Sequence, residues 1–240
     1  MNDNFSAESI QRTARAFSRS RVLLTAVELN IFSILAVEPL AAMEAARQLG
    51  SDLRAMTILL DALAAMDLLV KEDNRYRTRT EAVPLLTDNS ERSILPGLMH
   101  SAYLWKTWSQ LTEVVMHGGP AKRPDRDGSD RMEAFIGAMH VRALRDAPEL
   151  VKAIDPGPAR NLIDVGGGSG SYTIGFLKAV PDMRATIFDL PEVIPMTRKR
   201  IAEEGLTDRV TLVSGNYNED DLPSGHDLAL LSAVIRSSAT

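Results

Sequence analysis

Two carboxylates about 25 residues apart, Asp164 and Asp189, each stand at a short apolar run. The first lies in Asn161-Leu-Ile-Asp-Val-Gly-Gly-Gly-Ser-Gly170. Leu162 to Val165 reads as a buried strand and the glycines as a tight loop. The run from Tyr172 to Val180 reads as the helix that follows. Strand, glycine loop and helix together let backbone press against a nucleotide-like ligand.

The spacing bears on which ligand. A dinucleotide fingerprint, G-x-G-x-x-G, started at Gly166 needs glycine where Ser171 stands, and started at Gly168 it fails at Thr173. The run is instead acid-x-Gly-x-Gly-x-Gly, from Asp164 through Gly166, Gly168 and Gly170. A carboxylate at the root of the loop disfavours a pyrophosphate. It favours S-adenosylmethionine, which carries a sulfonium and an ammonium and no phosphate. An unliganded glycine turn is the plain alternative.

The elements around the loop alternate. Strands are expected at Met183 to Phe188, Arg209 to Ser214 and Asp227 to Leu231. A helix is expected from Pro191 to Glu204, closed by Gly205. That pattern means a parallel sheet with right-handed crossovers, with ligands at the carboxyl ends of its strands. Asp189 can then accept from both ribose hydroxyls. Asn216 and Tyr217 can reach an adenine edge and face, and Ser232 ends the fourth strand.

The N-terminal half is mainly helical. Ala7 to Leu35 reads as one helix with a broad apolar face. Pro39 to Leu49 is a second, ended by Gly50, and Asp52 to about Met66 a third. Two short strands at Leu68 to Val70 and Tyr76 to Thr78 complete a winged-helix pattern. The expected recognition helix offers one cation, Arg54, against two carboxylates, which argues against DNA as its partner. A long helix is expected from Ile94 to Met116. Another begins near Met132, with a boundary allowed at Pro148 and a linker at Asp155-Pro-Gly-Pro158.

Composition excludes several classes. A net charge of −5 opposes a general nucleic-acid binder. Cysteine is absent, so there is no disulfide frame and no thiolate metal site. No apolar run reaches a membrane span and the N-terminus lacks a signal-peptide core. These features lead us to expect a cytoplasmic protein with no membrane partner. No His or carboxylate cluster suggests a metal.

Asp164-Val-Gly-Gly-Gly-Ser-Gly170, Phe188-Asp-Leu-Pro-Glu-Val193, Ser214-Gly-Asn-Tyr217 and Asp227-Leu-Ala-Leu-Leu-Ser232 together resemble the small-molecule O-methyltransferases. The family meant is that of caffeate and acetylserotonin O-methyltransferases, with bacterial relatives in pigment and antibiotic pathways. Leu49-Gly50 and Leu59 to Val70 resemble its winged-helix-like dimerisation domain. The implied fold is α/β: a mainly α dimerisation domain over 1–95, a helical connector with pocket helices over 96–157, and a Rossmann-like domain over 158–240.

The resemblance implies S-adenosylmethionine as cofactor, a homodimer through the N-terminal helices, and a small hydroxylated, aromatic or polyketide-like acceptor. It places Gly166 at the methionine part, Asp189 at the ribose, and Leu190, Asn216 and Tyr217 at the adenine. It also places Phe135 and Met139 at the acceptor wall. It departs in two respects. Arg236 stands where the family has its histidine base, and a guanidinium cannot take a proton. Only four of seven expected strands are visible. An incomplete chain is the favoured explanation. A non-catalytic winged-helix regulator or scaffold is the alternative, and an NAD-dependent oxidoreductase a more distant one. His140, beside Met139, is the alternative base, while His226, before the fourth strand, reads as a loop residue.

Overall fold

The apolar stretch read as one helix from Ala7 to Leu35 folds as three. They are α1 (Ala7–Arg15), α2 (Phe17–Glu28) and α3 (Ile31–Val37). The break before α3 falls at Asn30, whose φ of 52° is left-handed, a conformation that Asn adopts more readily than most residues. The computed structural model describes residues 6–88, 90, 92–121, 128–232 and 234. It divides into two compact units, Met1–Pro124 and Asp125–Thr240.

In the first unit, β1 (Leu40–Ala41) precedes α4 (Ala42–Leu49), so the helix expected from Pro39 starts three residues later. Gly50 ends α4 in the left-handed conformation, and Asp52 caps α5 (Leu53–Ala65) by accepting the N–H of Ala55 at 2.8 Å. β2 (Leu69–Glu72) and β3 (Arg75–Thr78) pair antiparallel, and β1 adds to the far side of β3. Asp73 and Asn74 both have positive φ, which is what a two-residue turn of the primed type requires. Phe32, Leu35, Leu60, Leu63 and Tyr76 are fully buried at the centre. After α6 (Val83–Leu86), the helix expected over 94–116 is two, α7 (Leu95–Trp108) and α8 (Leu111–His117).

The second unit opens with α9 (Gly128–Ile154), which continues through Pro148 instead of stopping there. A proline inside a helix costs about 3 kcal/mol. Here Ala143, Ala147 and Val151 are buried on either side of it, and that packing holds the helix together. The units thus divide the helices expected over 96–157: α7 and α8 fall in the first and α9 in the second.

Next come β4 (Asn161–Val165), α10 (Ser171–Ala179), β5 (Arg184–Asp189), α11 (Ile194–Glu203), β6 (Val210–Ser214) and β7 (Leu228–Leu230). α11 starts later than Pro191, with a proline in its own first turn, where a missing N–H is harmless. All pairings are parallel, in the order β6-β5-β4-β7. Leu162, Phe176, Leu177, Met183 and Ile187 form the dry centre between sheet and helices. The Asp227 carboxylate accepts the N–H groups of Arg160 and Asn161, which sets where β4 starts against β7.

Candidate functional site

The carboxyl ends of β4, β5 and β6 lie side by side, because Val165 pairs with Phe188 and Asp189 with Ser214. The sequence-predicted loop, acid and turn are therefore brought to one edge. Gly166, Gly168 and Gly170 all have positive φ, of 69°, 56° and 76°. An L side chain at any of the three would be strained. The loop is held from within: Gly166 N–H donates to the Phe188 carbonyl and Gly170 N–H to that of Gly167. Thr197 of α11 donates its hydroxyl to the Gly168 carbonyl at 2.5 Å.

Asp189 ends β5 and is buried. Its Oδ2 accepts the Gly168 N–H and its Oδ1 the Leu190 N–H, both at 2.7 Å. Burial raises its pKa above the usual carboxylate range, with the two backbone N–H groups pulling the other way. A carboxylate has about four acceptor positions, so roughly two remain beside the loop for a ligand's hydroxyls.

Asp164 sits beneath the loop, 1% exposed. Its Oδ2 accepts the Thr173 hydroxyl at 2.7 Å, and burial pushes its pKa up to about 6. Its carboxyl lies 3.0 Å from where a Cβ on Gly167 would stand. In this position it braces the loop from the protein side.

Asn216 and Tyr217 follow β6. The Asn216 Oδ1 accepts the backbone N–H of Asn218 at 3.1 Å, and its own N–H donates to Asp220. Tyr217 packs with Ile163, Val165, Phe188 and Val213 on one face of the sheet. Ser232 lies two residues beyond β7, half-buried. Val234 crosses over Gly166, with its Cγ1 where an added Cβ would stand. A ligand against Gly166 must share that space with Val234. Arg236 lies outside the described residues.

On α9, Phe135 is exposed and Met139 half-buried. The residue that reaches the loop is one that sequence reading passed over. Ile136 is buried, and its Cδ1 lies 3.6 Å from a Cβ placed on Gly168. Its spacing to Ala143 and Ala147 is the signal that finds it. The His140 Nδ1 lies 2.6 Å from the Ser171 hydroxyl. Burial first, then Arg200, depresses the imidazole to about 4. Ser169, Ser171, Thr173 and Thr197 were also missed. Among the described residues, no group of three or more His, Asp or Glu is placed to hold a metal ion. No single described helix is long and apolar enough to cross a membrane.

This geometry can be set against known proteins. The O-methyltransferase domain family matches residues 116–238, and the O-methyltransferase dimerisation domain matches residues 11–88. The chain belongs to the O-methyltransferase family. It is 32% identical to 3-hydroxy-5-methyl-1-naphthoate 3-O-methyltransferase of Streptomyces sahachiroi, over 90% of this chain and 65% of that protein. It is 30% identical to the tetracenomycin polyketide synthesis 8-O-methyl transferase TcmO of Streptomyces glaucescens, over 89% of this chain and 66% of that one. Among solved structures, the mitomycin 7-O-methyltransferase MmcR superposes with a TM-score of 0.82 at 26% identity, over 95% of this chain and 70% of that one. The chain thus spans just under two thirds of the length of the first two relatives. The two family matches follow the chain's own order: a helical dimerisation domain, then a parallel-sheet methyltransferase domain.

Proposed function

We propose that this chain binds S-adenosylmethionine at the Gly166–Gly170 loop and belongs to an enzyme that methylates a hydroxyl of a small aromatic or polyketide-like molecule. The observation that carries the reading is the Asp189 carboxylate, fixed by two backbone N–H groups beside the glycine loop. Family membership and the naphthoate and tetracenomycin relatives support it.

When bound, the cofactor supplies a methyl on a positively charged sulfur. The residues of this chain do the rest. Asp189 accepts the ribose hydroxyls, and Leu190 packs at the adenine with Asn216 and Tyr217. Gly166, Gly168 and Gly170 admit the methionine part, with Asp164 bracing the loop below. Phe135 and Met139 line the acceptor side of α9, and holding nucleophile and methyl in line supplies the orientation that such a displacement needs. A base must take the acceptor's proton. His140 is badly suited, because its Nδ1 is engaged by Ser171 and its basicity is low.

We further read the enzyme as a cytoplasmic homodimer of secondary metabolism. The three-stranded sheet β1-β3-β2, with β1 before α4 and the β2–β3 hairpin after α5, supports a winged-helix reading of residues 40–78. The test is incubation with S-adenosylmethionine and hydroxylated naphthoic acids, read by mass spectrometry. A methyl ether is expected. A methyl on a ring carbon, or a methyl ester, would correct the acceptor atom. No transfer by a chain shown to bind the cofactor would contradict the catalytic reading.

A further inference from the structure

α9 turns one stripe toward the glycine loop and α10: Ile136, His140, Ala143 and Ala147. Spacings of four, three and four put them on one helix face. Three members are buried and apolar. Ile136 lies over Gly168, and the Ala147 Cβ is 3.1 Å from where one on Gly175 would be. The fourth is a histidine.

Its Nδ1 is 2.6 Å from Ser171 Oγ, and Ser171 Oγ is 2.7 Å from Ser169 Oγ. Ser171 opens α10 and is 3% exposed, while Ser169, between Gly168 and Gly170, is 8% exposed. Buried polar groups of this kind are costly unless bonded. These three satisfy one another in a line from α9 through α10 into the loop. An apolar side chain at 140 would pack α9 as its neighbours do, but it would not fix the loop. Buried polar chains specify position more sharply than apolar contact does.

We propose that His140 is a positioning residue for the donor site: through Ser171 and Ser169 it holds the glycine loop in its receiving form. It thereby ties that loop to the stretch of α9 that carries Phe135 and Met139. The inference rests on the S-adenosylmethionine reading of the loop.

The test combines His140→Leu, His140→Asn, Ser171→Ala and the Leu/Ala double variant. Two readouts are used: the affinity for S-adenosylmethionine, and hydrogen exchange at the Gly170 amide, which closes the loop onto Gly167. His140→Leu and Ser171→Ala should each weaken binding about fivefold, the scale of one buried hydrogen bond. The double variant should lose little more than either single one, because the residues act as a unit. His140→Asn, which returns a polar atom near Nδ1, should stay within about twofold of the parent. Gly170 exchange should quicken in His140→Leu and in Ser171→Ala, and not in His140→Asn.

Losses that multiply in the double variant would overturn the proposal. So would a Gly170 amide indifferent to both single substitutions. If His140→Leu lacks a cooperative melt, Ser171→Ala against the hydroxyl-keeping Ser171→Thr decides by the same readouts. A parent chain that fails to bind the cofactor, yet shows the Gly170 response, would refute the cofactor reading and leave the hydrogen-bonded link standing.

Discussion

The Asp189 carboxylate and the Gly168 backbone meet at the head of the sheet, Oδ2 accepting the glycine N–H at 2.7 Å. One residue thus shapes the loop and, in the proposed reading, also receives the ligand. Asp189→Ala removes the acceptor for two backbone donors and for the proposed ribose. We expect S-adenosylmethionine binding to weaken by about a hundredfold or more, the scale of two charge-assisted hydrogen bonds. Asp189→Asn should fare little better, since its amide presents a donor to one of the two N–H groups. Calorimetric titration of each variant checks this, and a variant within threefold of the parent would remove Asp189 from the site.

Asp164 makes a prediction about pH. Its folded pKa of about 6 lies above the ordinary 3.8, so the folded state prefers the protonated form. Its stabilising contribution is complete below about pH 4 and is lost as pH rises through 6, a swing of about 3 kcal/mol for a fully buried group. His140 works oppositely. Its folded pKa of about 4 lies below the ordinary 6.5, so its contribution is present above 6.5 and lost as pH falls toward 4. Being partly exposed, it is the weaker of the two. Asp164→Asn should therefore raise the melting temperature at pH 8 and should lose stability on acidification to pH 5 relative to the parent. Thermal melts across that range decide it; parallel curves for variant and parent would show that Asp164 is not held protonated.

Gly167 needs room more than a special backbone. An added Cβ would lie 2.8 Å from Ile187 Cγ2 and 3.0 Å from the Asp164 carboxyl. Gly167→Ala should destabilise the chain by about 1–3 kcal/mol, the usual cost of overpacking. Gly205→Ala meets nothing within 4 Å but has a φ of 68°, so it should cost about 1 kcal/mol through backbone strain alone. Denaturant midpoints measure both, and a Gly167→Ala variant as stable as the parent would contradict the steric account.

The loop and its acid were legible in the sequence because glycine spacing and strand-ending carboxylates are local signals. Gly166, Gly168, Gly170 and Asp189 stand together as a chain-order reading predicts. The helix breaks were not legible. Asn30 and the Ser109–Gln110 break carry no glycine or proline to mark them, and α9 continues through Pro148, where the sequence allows a boundary. Ile136, Thr173 and Thr197 act across 9 to 32 positions of chain. Nothing local distinguishes Thr173 and Thr197 from ordinary helix residues until the fold brings them to the loop, and the helical spacing of Ile136 marks it as buried without saying against what.

α1 has no buried residue of its own, although it is capped by Ser6 and carries Ile10. The dimerisation-domain match covers residues 11–88, and we read α1 as part of a homodimer surface. Ile10→Glu should shift the sedimentation of the chain toward the monomer with its melting temperature little changed at low concentration. A chain already monomeric at tens of micromolar would contradict that reading.

The central claim is that the Gly166–Gly170 loop and Asp189 receive S-adenosylmethionine. Calorimetric titration of the parent chain with that compound, with NAD as control, tests it most directly. We predict saturable one-site binding, lost in Asp189→Ala, and no heat from NAD. Saturable NAD binding by a folded chain that ignores S-adenosylmethionine would contradict the account.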